Sequence, residues 1–236
     1  MAVSLPLFPL QSIVLFPHMM LPLHIFEPRY IRMVEECLAG DRCFGVTLLR
    51  SGEEVGGPAV PHLVGTVARI REHRAMEEGR YMLLAFGENR FRVVSYTDDQ
   101  GLLRAEVEYF DDDPTGDSVE DTLLHEVIRL AGDHFRLIRD ALGQQVPDPI
   151  FPGDARSLSF ALASSLQADA LERQALLELT DTAERLRRVA EGLRVSTALL
   201  GRRIEIDREA SRICTGNGRL DHNEHLSAEI LRSVGR

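Results

Sequence analysis

Five prolines, Pro6, Pro9, Pro17, Pro22 and Pro28, interrupt a single apolar run between Leu5 and Tyr30. Each removes a backbone donor and restricts the residue before it, so this run is neither a continuous helix nor an interior strand. The sequence predicts one short strand, Ser12 to Phe16, between extended and kinked flanks. An apolar segment punctuated in this way has to fold against something along its length. It does not read as a secretory leader, because it has no basic n-region and the prolines break its apolar stretch.

The second constraint is an absence. The 236 residues contain no lysine, so all 27 basic residues are arginine. A phosphate-binding P-loop needs a lysine, a Ser-Lys protease dyad needs a lysine base, and Schiff-base chemistry needs a lysine amine. None of the three can be built from these residues. The formal net charge of −10 and a pI near 5.3 make nucleic acid an unfavourable partner, although Arg69, Arg71 and Arg74 lie close together. No apolar run approaches the roughly 18 residues that span a bilayer. No membrane association is expected, and Cys37, Cys43 and Cys214 fit a reducing, cytoplasmic setting without a disulfide framework.

Past the proline-rich opening, the first 110 or so residues read as β-rich with one helix. Glu27 stands at the helix cap and Pro28 in the first turn. Tyr30, Met33, Val34, Cys37 and Leu38 fall on one stripe, and Gly40 is the stop. Strands are predicted at Phe44 to Leu49, Val64 to Arg74, Tyr81 to Phe86, around Phe91 to Ser95, and Leu103 to Tyr109. Turns at Glu78-Gly79 and Asp98 to Gly101 join the later ones, a pattern that suggests a small barrel or sandwich. The acidic stretch Asp111 to Asp117, broken by Pro114 and Gly116, marks a boundary. After it the chain is helical: about Val119 to Leu142 with Gly143 as the stop, then helices capped by Asp154, Asp169 and Asp181. The last carries Leu186, Val189, Ala190 and Leu193 on one stripe, and short loops between single-stripe helices imply a compact bundle. From Val195 onward the stripe degrades.

Several spaced motifs resemble one family. The opening segment ends in Ile25-Phe26-Glu27-Pro28-Arg29-Tyr30, followed by Phe44-Gly45-Val46, Gly65 to Ile70, Gly79 to Tyr81, Gly87 to Val93, Leu158 to Ala163 and Gln174 to Leu179. In that order and register, over about Leu5 to Leu193, they are similar to the N-terminal domain of Lon proteases. The resemblance implies an α+β fold with a PUA-like β-barrel subdomain, 1–113, and a four-helix bundle subdomain, 114–195. Residues 196–236 remain a C-terminal extension, helical or disordered. Lon proteases continue into an ATPase domain and a Ser-Lys peptidase domain. This chain looks like a stand-alone N-domain protein, so substrate recognition and oligomer assembly are the family functions that carry over. It is expected not to be an enzyme and to need no cofactor.

The expected activity is binding of unfolded or degron-bearing polypeptide, with Lon or another protease or chaperone as partner. Candidate contact residues are Phe16, Met19, Met20, Leu21, Phe26 and Tyr30, because methionine suits promiscuous apolar surfaces. Ordinary core packing is the competing role for them. A barrel edge offers a second mode, addition of a peptide strand. Glu27 and Arg29 are read as a helix cap that pins the opening segment. Cys214 with His222 and His225 lacks a clear fourth ligand for zinc. Ser157, Ser159, Ser164 and Ser165 sit in no nucleophile elbow. Glu35-Glu36 and Glu77-Glu78 do not form acid–base pairs, and Cys37 falls on an apolar stripe as an inert thiol. Two alternatives stand beside this reading. One is a PUA-like small-molecule or RNA-binding protein, an enzyme if a deep pocket holds convergent polar groups. The other is an oligomerisation scaffold acting through Val195 to Ile213.

Overall fold

In a computed structural model, residues 3–52, 59–114, 119–143, 147 and 149–216 are described, with side chains through 210. They form a mixed α+β fold. The strands are β1 (Val3–Leu10), β2 (Met20–Ile25), β3 (Cys43–Gly52), β4 (Ala59–Ala75), β5 (Tyr81–Asp99) and β6 (Leu102–Tyr109). The α-helices are α1 (Pro28–Ala39), α2 (Asp121–Leu142), α3 (Ala155–Ser165), α4 (Ala170–Glu178) and α5 (Thr182–Gly216). The six strands make one sheet in the order β2-β5-β4-β3-β1-β6, and β5 also pairs with β6. The circuit β5-β4-β3-β1-β6 therefore closes on itself, with β2 attached to β5.

The first strand is not where the prolines were expected to leave room for one. Ser12 to Phe16 is an extended strap outside the ladder, while β1 contains Pro6 and Pro9 and β2 contains Pro22. Partner geometry accounts for this. Val3 to Leu7 pair with β6 and Leu7 to Leu10 pair with β3, so each of these two prolines has a strand on one side only. Pro22 lies in β2, whose only strand partner among the described residues is β5. A proline with a strand on one side only can turn its missing donor to the side without a partner. The strap is held by side chains instead. Arg173 donates to the Ser12 carbonyl at 2.8 Å, and the buried Thr66 hydroxyl donates to the Leu15 carbonyl at 2.6 Å.

Pairing also joins two expected strands into one. β5 runs unbroken through Gly87-Glu88-Asn89; its first half pairs with β2 and its second with β6, and β4 lies along the other side. Gly87 permits this because a Cβ there would stand 2.1 Å from the Phe16 carbonyl oxygen. That close approach lets His18 donate to the Gly87 carbonyl at 2.8 Å while Gly87 donates to Met19 at 2.9 Å.

Helix α1 forms as the sequence predicts. Pro28 occupies the first turn, Gly40 follows the end, and Tyr30, Met33, Val34 and Cys37 are buried. They pack on Phe8 and Phe44, with Phe8 edge-on to Tyr30 at 4.4 Å between ring centroids. Burying each such side chain contributes about 1.5–3 kcal/mol. At Glu27 the backbone carbonyl takes the first helical N–H groups, while its carboxylate accepts from Arg29 at 3.1 Å. Arg29 also donates to the Gly101 carbonyl at 3.1 Å, tying the helix start to the β5–β6 turn.

Two compact units emerge. The first contains all six strands, α1, α3, α4 and the first turn of α5 through Arg185; the second contains α2 and the rest of α5. This grouping differs from the ranges 1–113 and 114–195, because α3 and α4 go with the sheet. In the second unit, Val127, Ala131 and His134 of α2 and Leu186, Val189, Ala190 and Leu193 of α5 are buried. His134 meets Thr197 at 2.9 Å through Nδ1, and burial holds its pKa below the usual histidine value. Helix α5 continues past Val195 to Gly216. Cys214 lies beyond the described side chains, and His222 and His225 lie outside the described residues.

Candidate functional site

Two features of the first unit stand out: a charged interior and an apolar exterior. Arg90 of β5, Asp112 just after β6 and Arg185 of α5 are all buried. The Asp112 carboxylate accepts from both guanidinium groups and from the Thr182 hydroxyl, the last at 2.6 Å. Arg90 donates to the Leu177 and Leu179 carbonyls at 2.8 and 2.5 Å, and Arg185 donates to the Ser159 hydroxyl and the Leu179 carbonyl, both at 2.8 Å. The Phe160 ring lies against both guanidinium groups, 5.1 Å from that of Arg90 and 3.9 Å from that of Arg185. Burial pulls the Arg90 pKa down to about 10, against the attraction of Asp112. The acidic stretch that reads as a boundary therefore contains the anchor that fastens the α4–α5 connection to β5. Sequence gives no cue to this, because Asp112 sits among look-alike aspartates.

The apolar exterior is the outward face of β2 and β5. Strand β2 alternates, with Leu21, Leu23 and Ile25 inward and Met20, Pro22 and His24 outward. Its register sets Met20 opposite Phe86, Pro22 opposite Leu84 and His24 opposite Met82. Met20 is 56% exposed, Met82 42% and the adjoining Phe26 52%, while Leu84 and Phe86 are half-buried. Phe26 leans on His24 at 5.7 Å between ring centroids. Met82, Leu84 and Phe86 span about 13 Å along one strand face, the reach of four or five residues of extended peptide.

A cleft adjoins each end of that row. One, of about 640 Å³, lies at the β4–β5 hairpin and is lined by Arg74, Met76, Glu77, Arg80 and Met82. The other, of about 760 Å³, runs from Phe86 and Gly87 past Pro17 and His18 to Asp154, Arg156 and Ser157 at the start of α3. Phe16 to Met19 make a tight turn closed by Met19 donating to Phe16 at 3.2 Å, with His18 at φ 65°. Proline before a positive-φ residue is the type II arrangement, which normally places glycine second. Charges along the larger cleft are matched: Arg156 pairs with Asp111, and Arg71 approaches Glu88 at 3.7 Å. Asp154 accepts the Ser157 N–H at 2.8 Å as the α3 cap, which holds its carboxyl below the ordinary range.

The six candidate contact residues separate by side. Met20 and Phe26 lie on the exposed face, and Met19 is partly buried against the core. Phe16, Leu21 and Tyr30 are in the interior: Leu21 of β2 and Tyr30 of α1 join the core cluster, and Phe16 of the strap lies 6.4 Å from Phe160 between ring centroids. Met82, Leu84 and Phe86 belong to the face, and Met76 lines the hairpin cleft with Met82, but none of the four is among the candidates. The available signal is Tyr81 to Phe86 itself, which is apolar on both alternating sides. The edge of β2 is a weaker feature than its face, since Pro22 at its centre denies an added strand one hydrogen bond. Ser159, Ser164 and Ser165 each donate to a carbonyl three residues back, at 2.7–2.8 Å. The Cys37 thiol donates to the Cys43 carbonyl at 3.1 Å, and burial pushes its pKa up to about 12. Among the described residues, no group of three histidine, cysteine or carboxylate side chains is placed to hold a metal.

Comparison with known proteins agrees with this architecture. The Lon protease of Solibacter usitatus is 31% identical over 195 residues, 80% of this chain and 24% of that protein. A second Lon protease, from Bdellovibrio bacteriovorus, is 32% identical over 194 residues, again 80% of this chain and 24% of its own length. The chain thus spans about a quarter of the curated relatives it matches. The crystal structure of a Lon N-terminal domain protein from Xanthomonas campestris superposes with a TM-score of 0.57 at 29% identity, covering 79% of this chain and 96% of that one. The N-terminal domain of the Mycobacterium avium complex Lon protease shares the fold, with a TM-score of 0.59 at 14% identity over 81% of this chain and 98% of its own. The family model described as the ATP-dependent protease La (LON) substrate-binding domain matches residues 4–194, and the chain belongs to that family.

Proposed function

We propose that this domain is a non-catalytic binding module that holds exposed apolar stretches of unfolded or degron-bearing polypeptide on the outward face of β2 and β5. It would act as an adaptor or recognition element for a Lon-type protease or a chaperone, in the cytoplasm. The observation that carries the reading is the exposed row of Met20, Phe26 and Met82 beside Leu84 and Phe86. A face of this kind on a soluble domain marks an interaction site, and flexible methionines suit clients of varied sequence. On this reading the closed sheet is a PUA-like barrel and α2 to α5 supply the helical half. The matched charges of the larger cleft and the buried Cys37 thiol, which burial keeps protonated, support a binding role over catalysis. Nucleic acid is disfavoured because Arg69 already pairs with Glu88 at 2.5 Å and Arg71 approaches the same carboxylate.

Fluorescence anisotropy tests the reading, with labelled α-lactalbumin in native and in reduced, carboxymethylated form. The domain is expected to bind the unfolded form in preference to the native one. Replacing Met20 and Met82 together by glutamine is expected to weaken binding about tenfold, near 1.4 kcal/mol. Equal binding of both forms, or an unchanged affinity in the double variant, contradicts it.

A second reading has its own observation. Val195, Leu199 and Ile206 lie four and seven residues apart on α5 and are exposed. That spacing favours self-association through the helix. Sedimentation of the full chain against a Leu199→Glu, Ile206→Glu variant tests it: a monomer in both cases rules it out.

A further inference from the structure

Of the chain's six methionines, Met19 ends the turn before β2, Met20 opens β2, and Met76 and Met82 belong to the β4–β5 hairpin. Three of them are open to solvent, with Met76 at 43% beside Met20 and Met82, whereas Met33 in α1 is fully buried. Met76 and Met82 line the same cleft. Thioether oxidation follows access, so these three sulfurs are presented to oxidant while the core sulfur is not.

We infer that the outward face is a methionine-oxidation site whose apolar character, and hence its hold on polypeptide, is switched off by peroxide. This rests on the functional reading above and adds its regulation. The thioether lone pair attacks one oxygen of hydrogen peroxide, forming an S–O bond as the O–O bond breaks. Sulfur loses two electrons, and the departing oxygen leaves as water after a proton shift. The product sulfoxide is polar, chiral and a strong hydrogen-bond acceptor. Three sulfoxides along Met20, Met76 and Met82 convert an apolar landing surface into a hydrated one. The core is spared because Met33 is shielded. A methionine sulfoxide reductase with a thiol reductant reverses the change, so the surface is restored without new synthesis.

Peptide mapping by mass spectrometry after graded hydrogen peroxide exposure gives the first readout. Met20, Met76 and Met82 are expected to oxidise about tenfold faster than Met33, or more. Anisotropy with reduced, carboxymethylated α-lactalbumin gives the second, with affinity expected to fall about tenfold on oxidation and to recover after reductase treatment. A Met20→Leu, Met76→Leu, Met82→Leu variant is compared with itself before and after exposure, and whatever its starting affinity, peroxide is expected to leave that affinity unchanged. Circular dichroism before and after exposure separates loss of the face from loss of the fold. Binding that survives oxidation within twofold, or a leucine variant as sensitive as the parent, overturns this inference alone. Absence of binding before any oxidation overturns the functional reading and this one together.

Discussion

Strand β5 carries Met82 near one end and Arg90 eight residues on, and the two face opposite circumstances. Arg90 is a charge kept inside, ringed by two carbonyls, the Asp112 carboxylate and the Phe110 and Phe160 rings. Met82 is an apolar side chain kept outside, in a row with Leu84 and Phe86 and opposite His24. Each reverses what solvation alone favours. The interior charge is tolerated because nearly every polar atom of the cluster has a partner. It specifies where the chain after β6 and the start of α5 must lie, a job that non-directional apolar packing does poorly. The exterior apolar row gains nothing for the isolated fold. The lesson is that the same strand supplies a fixed point at its middle and an unsatisfied surface near its start.

The largest test breaks the fixed point. Asp112→Ala leaves Arg90 and Arg185 buried without their counter-charge and is expected to cost about 3–5 kcal/mol in urea denaturation. Replacing Arg90, Asp112 and Arg185 together by Met, Leu and Met is expected to be neutral or stabilising instead. A triple variant as damaged as the single one shows that the cluster supplies net stability, and removes the specificity argument. The intermediate test lies between the two regions. Gly87→Ala forces a Cβ against the Phe16 carbonyl and is expected to cost about 1–3 kcal/mol, with His18 and the larger cleft displaced. A loss under 0.5 kcal/mol means that the strap is not pinned there. The smallest effect belongs to the exposed row. Met82→Gln is expected to leave stability within about 0.5 kcal/mol while weakening polypeptide binding. A large stability loss shows that Met82 belongs to the core and dissolves the contrast.

Much of the local architecture is legible in the sequence. Helix α1 can be read from Pro28, the Tyr30–Met33–Val34–Cys37 stripe and Gly40, and the α3 and α4 starts from Asp154 and Asp169, because caps and stripes are short-range signals. The place of β1 is not legible. Whether Pro6 and Pro9 are tolerated depends on which strands flank each one, and that is fixed only by β3 and β6 far along the chain. The unity of β5 is hidden for a related reason, since Gly87 reads as a turn until its close approach to Phe16 is known. Of the proposed face only part is legible: methionines beside aromatics point to β2, but its alternation sends Leu21 inward and Met20 outward, and the partner row from Met82 to Phe86 enters only through cross-strand register. Asp112 could not be distinguished from Asp111 or Asp113 without knowing where Arg90 and Arg185 converge.

The most direct test of the central claim places a photo-crosslinking benzoylphenylalanine at position 82, at position 26, and at position 171. Leu171 is an exposed apolar residue of α4 and not of the β2–β5 face, so it controls for stickiness alone. Irradiation with labelled, reduced and carboxymethylated α-lactalbumin is predicted to give adducts from positions 82 and 26 and little from 171. Equal yields from all three positions, or adducts from 171 only, would contradict it.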